Sequence, residues 1–404
     1  MSLLPVVAAP PEAHAGEAQP AVAVGAENSD DDTKSMPQSP WWTTETRTSY
    51  SVINNYVIAD DDNSNESVTL TTQGSFEFLP HAVELCRRWE GPISLAVYAP
   101  GDDLKISLEV IYYLRRCRDG CVRSRISWHL IYDAMFGPAL NNISFPDSLV
   151  SQYRLIKCDL SDEEVLKEFA SSFRENHKLP YPINVARNVA RLQSKTKYLL
   201  ASDIELYPSL NIVSMFKLLI QKEEADQVPL INRKVPHVYH LPIFEVEAGL
   251  EPPQTKSELM DMFRTGDAIF FHKWVCDICQ NYPDRDQWLQ IPGNGTLNVF
   301  RVTKRTRNRS SWEPLYIGTN AEPLYDERLT WEGKRDKMSQ MYEMCLMDYD
   351  ILVLDNAFLV HAPGIKHIDE QDMSRRLNFI KRNNQVYNTI LAKLRKKYGS
   401  PKGC

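Results

Sequence analysis

No stretch of 18 apolar residues occurs in the 404-residue chain, so nothing in it reads as a membrane-spanning helix. The run Met1-Ser2-Leu3-Leu4-Pro5-Val6-Val7 is too short for a signal peptide and lacks its basic flank, and the chain as written is expected to be soluble. Cysteine is sparse. The eight residues (Cys86, Cys117, Cys121, Cys158, Cys276, Cys279, Cys345 and Cys404) fall short of the density of a disulfide-stapled miniprotein and fix neither a pairing nor a compartment. The absence of an internal repeat excludes solenoids and propellers. A basic excess is missing too: residues 1–62 carry ten Asp or Glu against Lys34 and Arg47, a net −8, which leaves the remainder at +1. A body so close to neutral is not a general nucleic-acid binder, because phosphate neutralisation supplies most of that affinity.

What is present suffices for a large core. Apolar residues make up 43% and aromatic residues 10%, which excludes a wholly disordered chain. Residues 1–40 are rich in Ala, Pro, Glu, Asp and Ser; with the acidic run up to Asp62 they are expected to form a disordered arm or stem over 1–62, followed by one domain over 63–404. From Val68 strands and helices alternate. Val68–Thr72, Ile93–Tyr98, Ser127–Tyr132 and Lys197–Ala201 read as strands; Phe78–Trp89, Ser107–Arg116, Ser161–Glu175 and Pro182–Leu192 read as helices, the third opening with the capping box Ser161-Asp162-Glu163-Glu164. This alternation predicts an α/β fold with a mixed, mostly parallel central sheet flanked by helices, and places ligand sites at the carboxyl ends of strands. Near the end, Met373, Leu377, Ile380, Tyr387, Ile390, Leu391 and Leu394 form an apolar stripe with basic residues between. It is expected to pack on the domain with a solvated basic face, the alternative being a membrane-surface role. Asn-X-Ser/Thr acceptors at Asn65, Asn142, Asn294 and Asn308 are compatible with the secretory pathway.

The most informative stretch runs from Tyr198 to Pro208, an apolar strand leading into Asp203-Ile204-Glu205. In an extended chain these two carboxylates point to one side, where hard oxygen ligands would suit Mg²⁺ or Mn²⁺. Spacing alone does not decide it, since roughly seven acid-x-acid triplets are expected by chance at this acidic content.

The motifs around it carry a resemblance. Asn184-Val185-Ala186-Arg187-Asn188-Val189-Ala190-Arg191, followed by the strand and Asp203-Ile204-Glu205, resembles the donor-site segment of glycosyltransferase family 49. Thr71-Thr72-Gln73-Gly74 and Arg88-Trp89-Glu90-Gly91-Pro92-Ile93-Ser94-Leu95-Ala96 resemble that family's first strand and the run after its first helix. Trp312-Glu313-Pro314, Tyr325-Asp326-Glu327-Arg328 and Asn356-Ala357-Phe358-Leu359-Val360-His361 follow in the family's order, and Cys276-Asp277-Ile278-Cys279 with Trp288-Leu289-Gln290-Ile291-Pro292 resembles a segment of its glucuronyltransferase branch. The likeness spans about residues 68–400.

The resemblance implies a GT-A fold whose first half, 63–229, binds the nucleotide sugar and whose second half, 230–404, faces the acceptor. It implies an inverting, Mn²⁺-dependent transfer of glucuronic acid from UDP-glucuronate to a xylose-containing O-mannosyl glycan of the dystroglycan type. The setting it implies is the Golgi lumen, on a glycoprotein acceptor, with a homodimer or another Golgi transferase as partner; the family's usual membrane anchor is not found in this chain. Asp203, Glu205 and His361 are the implied metal ligands. Glu205 stands where the family has Asp, so Asp203 contacting the sugar while Glu205 reaches the ion is the alternative. Arg187, Asn188, Arg191, Lys256, Thr72 and Gln73 are the implied donor contacts. Asp326 is the first candidate for the base that takes the acceptor proton, and Glu327 the second. Glu313 would orient the acceptor and Trp312 would stack on it. The family's Gly-aromatic-Asn-Lys run appears as Gly333-Lys334-Arg335-Asp336-Lys337, with one extra residue and no aromatic. The competing readings are a catalytically weak or inactive glycan- or partner-binding module and a transferase for another UDP-sugar.

Overall fold

Three runs rich in β-branched and aromatic residues, β3 (Val68–Gly74), β4 (Ile93–Tyr98) and β5 (Ile126–Asp133), are buried along nearly their whole length, as befits strands covered on both faces. In the computed structural model, which describes residues 42–61, 67–137, 158–167, 172–225, 227–228, 230–232, 234–399 and 403–404, they form the centre of a ten-stranded sheet. The other members are β1 (Thr43–Arg47), β2 (Tyr50–Val57), β6 (Tyr198–Ala201), β8 (His237–His240), β11 (Asn298–Thr303), β12 (Tyr316–Gly318) and β13 (Asp350–Asp355), in the order β1-β2-β5-β4-β3-β6-β12-β8-β13-β11. The run β5-β4-β3-β6 is parallel and so is β8 with β13; the other five junctions are antiparallel. The sheet is therefore mixed, and the parallel character expected from the sequence is confined mainly to its centre. Long helical crossovers join the central strands, whereas a two-residue turn joins β1 to β2 and forces the antiparallel sense.

That hairpin moves a boundary. Residues 43–57 were expected in the disordered arm, yet Val52, Ile53, Tyr56 and Val57 are buried as β2 pairs with β5. The acidic composition of the whole stretch hid a short apolar run, and burying it outweighs the cost of ordering it. Residues 1–41 and 62–66 lie outside the described residues.

A second sheet has the order β10-β9-β14-β7, from β7 (Leu206–Pro208), β9 (Ile243–Val246), β10 (Ala268–Phe270) and β14 (Leu359–His361). The chain thus passes from one sheet to the other between Ala201 and Leu206. Behind it lies a separate aromatic core containing Phe244, Trp288, Trp312 and Phe358. The helix Ile183–Leu192 packs on β3 and β4 with nine of its ten residues buried. The expected helix from Ser161 begins with its capping box intact, the Glu164 N–H donating to Ser161 Oγ at 3.2 Å and the Ser161 N–H to Glu164 Oε2 at 2.7 Å. It is described as Asp162–Lys167 and Phe173–Asn176. The C-terminal helix, Glu370–Tyr398, buries Tyr387, Ile390 and Leu394 against the domain, and its buried Asn383 donates to the carbonyls of Thr330 and Lys334 at 2.9 and 2.8 Å. Among the described residues no helix is long and apolar enough to cross a membrane. All eight cysteines are paired: Cys86–Cys121, Cys117–Cys158, Cys276–Cys279 and Cys345–Cys404.

Candidate active site

At the end of β6 the chain turns, the Leu206 N–H donating to the Asp203 carbonyl at 3.0 Å. An extended strand would aim Asp203 and Glu205 to one side; the turn sends them to different partners. Asp203 sits among donors. Arg187 Nη2 and Gln73 Nε2 donate to its Oδ1 at 2.9 and 3.0 Å, and Lys337 Nζ donates to Oδ2 at 2.8 Å. Burial disfavours its charge, but Lys337 and Arg187 hold the carboxyl well below the usual carboxylate range. Arg187 also bonds Asp336 and Asn184 and lies 5.3 Å above the Tyr325 ring. Burial opposes its charge too, and Asp203 and Asp336 restore it.

The helix Ile183–Leu192 builds this group. Its polar residues Asn184, Arg187, Asn188 and Arg191 recur at helical spacing, and all four are buried. Asn184 Nδ2 donates to the carbonyls of Asp326 and Asp336 at 2.9 and 2.8 Å. Asn188 both donates to the Tyr325 carbonyl, at 2.9 Å, and accepts its N–H, at 3.0 Å. Arg191 donates to the carbonyls of Thr319, Glu322 and Pro323. The irregular segment 319–337 therefore satisfies its backbone groups on the helix, and this delivers Lys337 to Asp203. The path is tight. Lys334 and Arg335 both adopt left-handed backbone, at φ 57° and 60°, a conformation that costs non-glycine residues on the order of 1–3 kcal/mol each. A Cβ on neighbouring Gly333 would collide with the Asn383 amide.

Glu205 faces imidazoles instead. His361 is 6% exposed, and its Nδ1–H donates to the Ala362 carbonyl at 2.7 Å, which leaves the lone pair on Nε2. That nitrogen is buried without a hydrogen-bond partner among the described residues and lies 3.8 Å from Glu205 Oε1. Lys366 Nζ is 4.0 Å from Oε2. Burial, reinforced by Lys366, lowers the His361 pKa; burial also lowers that of His81, whose Nδ1 pairs with the Tyr207 hydroxyl at 2.6 Å. An orphaned imidazole nitrogen beside a carboxylate is a donor set that suits a divalent transition cation. Glu205 and His361 fit such an ion. Asp203, with both oxygens taken, stands apart, and among the described residues no three His, Cys, Asp or Glu side chains meet closely enough to hold a metal. Absent from the sequence reading, His272 belongs to the same surroundings: burial, with Lys337 and Lys366, drives its pKa to about 3. Buried Glu245 accepts the backbone N–H groups of His272 and Lys366 at 3.2 and 3.4 Å and ties their two loops together.

Glu313 is half-buried and its carboxylate has no hydrogen-bond donor among the described residues. Burial pushes its pKa up to about 7, against the pull of Lys337 and Arg187 and with the help of Asp336 and Asp203. Other expected residues lie elsewhere or are already engaged. Trp312 is fully buried, edge-on to His240 with ring centroids 5.2 Å apart, so its indole cannot stack on a sugar; the apolar bulk of the ring belongs to the second core. Lys256 is 3% exposed, bonded to Asp355 and 3.8 Å above the Trp288 ring, a buried pair rather than a donor contact. Arg191 holds the loop. Thr72 is fully buried, its hydroxyl without a partner among the described residues, one residue before Gln73. Asp326 accepts Nε and Nη2 of Arg328 at 2.8 and 2.7 Å, and Glu327 accepts Arg47 and Asn188 at 2.8 and 2.9 Å.

Residues 67–399 match the family described as glycosyl-transferase for dystroglycan. The chain belongs to this family. Beta-1,4-glucuronyltransferase 1 of Danio rerio is 29% identical over 356 residues, covering 85% of this chain and 77% of the relative. The human protein of the same name is 26% identical over 350 residues, covering 83% and 77%. Xylosyl- and glucuronyltransferase LARGE2s of Gallus gallus is 25% identical over 303 residues, covering 75% of this chain and 32% of that longer relative. As a member of a glycosyltransferase family the chain takes a nucleotide-sugar donor and a glycan acceptor, and the motif resemblance in the sequence pointed to the family that is found.

Proposed function

We propose that the chain is a metal-dependent inverting glucuronyltransferase of the Golgi lumen, moving glucuronic acid from UDP-glucuronate to a xylose-bearing glycan of a glycoprotein. The names of its relatives support the sugar, and the pairing of all eight cysteines supports an oxidising compartment. The observation that carries the chemistry is the pairing of a cation group, Arg187 and Lys337 on Asp203, with the Glu205–His361 pair one turn away. Glu205 and His361 would hold Mn²⁺, which when bound neutralises charge on a departing diphosphate. Arg187 and Lys337, kept charged by Asp203, would bind the donor's diphosphate or sugar carboxylate, the guanidinium as a planar fork. This favours the division of labour in which Asp203 serves the sugar side and Glu205 the ion.

Inversion requires a carboxylate to take the acceptor proton as the hydroxyl attacks opposite the leaving group. Three carboxylates compete for that role. Asp326 and Glu327 are already engaged by Arg328, Arg47 and Asn188, whereas Glu313 is without a donor among the described residues and has a pKa pushed up to about 7, near the operating range. The geometry favours Glu313 as the base.

Titration of UDP with and without Mn²⁺, followed by a panel of UDP-sugars on a β-xyloside acceptor, tests the reading. UDP is expected to bind only with the metal in the unaltered chain and not in Glu205→Gln or His361→Ala, and UDP-glucuronate is expected to turn over fastest. Metal-independent or absent UDP binding would leave a glycan-binding module; faster turnover of another UDP-sugar would replace the donor.

A further inference from the structure

One of the disulfides differs in kind from the rest. Cys86–Cys121, Cys117–Cys158 and Cys345–Cys404 join residues 35, 41 and 59 apart, whereas Cys276–Cys279 joins residues only 3 apart, in a Cys-x-x-Cys segment. In the chain-entropy account a bridge stabilises a fold by closing loops in the unfolded chain, and so short a span closes almost nothing. Global stability is therefore not what this bridge serves.

Both of its ends reach the candidate site. The Cys276 N–H donates to the His272 carbonyl at 2.7 Å, and the Glu313 N–H donates to the Cys279 carbonyl at 2.9 Å. His272 holds left-handed backbone, at φ 59°, a conformation that persists only where the surroundings over-determine it. Glu245 accepts its N–H at 3.2 Å, while the N–H groups of Val275 and Cys276 hold its carbonyl. Glu313 is the carboxylate favoured above as the base. Lys337 and Asp203 act electrostatically on His272 and on Glu313 alike, so the two residues face one centre. The bridge is a covalent link between the backbone beside the imidazoles and the backbone of the base.

Its setting allows it to open. Ile278, between the two cysteines, is 61% exposed, and the cysteines themselves are half-buried. Cys279 and Glu313 both line a cavity of about 600 Å³. The middle of the segment has its own anchor, since Arg285 Nη2 donates to Asp277 Oδ2 at 2.9 Å. Opening the bridge thus leaves the turn in place and releases its two ends, which carry the contacts to His272 and Glu313. The Cys-x-x-Cys spacing also favours exchange, because it stabilises the thiolate that attacks and leaves.

We infer that the Cys276–Cys279 bridge is a redox-sensitive clasp that positions the reaction centre, closed in the active chain and opened by a dithiol. A thiolate of the dithiol attacks one bridge sulfur and the S–S bond breaks; the second thiol of the reductant then displaces that cysteine. Two electrons and two protons pass to Cys276 and Cys279, and the reductant leaves as its own disulfide. With the clasp open, His272 and Glu313 lose a shared restraint, and a misplacement of about 1 Å at a reacting group can cost ~100-fold in rate. The effect on turnover rests on the transferase reading above; the effect on the two backbone amides does not.

Stepwise reduction of the whole chain with dithiothreitol tests this. Alkylation with peptide mass spectrometry, amide hydrogen exchange, and transfer from UDP-glucuronate to a β-xyloside with Mn²⁺ are followed at each step. Cys276 and Cys279 are expected to be alkylated before the other cysteines. Once they are reduced, the amides of Cys276 and Glu313 are expected to exchange at least ~10-fold faster while the central strands stay protected. Over the same step kcat is expected to fall at least ~10-fold with KM for the donor little changed, and reoxidation in place of alkylation restores it. Cys276→Ser with Cys279→Ser is expected to reproduce the open state; should that variant misfold, the reduced unaltered chain carries the test. Earlier opening of another bridge, unchanged exchange at either amide, or unchanged turnover with the bridge open overturns the inference. An oxidised chain that transfers no sugar removes the transferase reading instead, and the order of alkylation and the two exchange rates then decide the clasp by themselves.

Discussion

The Asp203 end of the site and the Glu205 end are one residue apart in the chain, yet the first is built from charges already matched and the second from polar atoms still unmatched. Arg187, Gln73 and Lys337 occupy both oxygens of Asp203, and Asp336 balances the extra positive charge. At Glu205 the nearest imidazole nitrogen has no hydrogen-bond partner among the described residues. A preformed group of charges needs no rearrangement to meet a charged ligand, whereas an orphaned nitrogen marks a place where a ligand adds a bond. The two ends thus suit different parts of one substrate complex.

The largest way to break the contrast is Arg187→Met, which leaves Asp203 and Asp336 facing one cation fewer. Unfolding free energy is expected to fall by about 3–5 kcal/mol in urea titrations, the scale for removing one partner of a buried ion pair. A loss near zero would mean that Lys337 alone sustains the group. Next comes the base: Glu313→Gln is expected to lower turnover by ~100-fold or more with UDP affinity retained. Dependence on pH follows with its sign. A base must be ionised to accept a proton, so kcat/KM should climb as pH rises through about 7, where Glu313 gives up its proton, and fall below it. A profile already flat from pH 5.5 upward would return the role to a carboxylate of ordinary pKa. The smallest effect sharpens the same point, since Asp326→Asn removes only a partly exposed ion pair with Arg328 and should change turnover less than about 3-fold. A drop comparable to that of Glu313→Gln would reverse the two assignments.

What could be read from the sequence divides along similar lines. The strand Ile93–Tyr98 and the helix Ile183–Leu192 were legible because their signals are local, a β-branched run between turns and an apolar face at helical spacing. The carboxylates Asp203 and Glu205 were legible as residues but not as geometry. Alternation to one side holds only in extended backbone, and this segment turns between two sheets. Lys337 escaped notice because hydrogen bonds from Asn184, Asn188 and Arg191 to a segment well over a hundred residues away set its place. The one available signal was that it ends the run where the family has Lys. Trp312 misled for the opposite reason: an aromatic next to a carboxylate reads as a sugar platform, and only tertiary packing shows that it fills a core. Glu313, its neighbour, was assigned to orientation because sequence carries no trace of which carboxylates will lack donors.

The disulfide connectivity bears on how the molecule is made. Cys86–Cys121 and Cys117–Cys158 overlap along the chain, so each bridge encloses one end of the other. Thiols oxidised strictly in order of synthesis would join Cys86 to Cys117 and leave Cys121 for Cys158. The observed arrangement is reached either by folding that brings the native partners together before oxidation or by exchange through mixed disulfides, and in a host that oxidises fast but shuffles slowly only the first route is open.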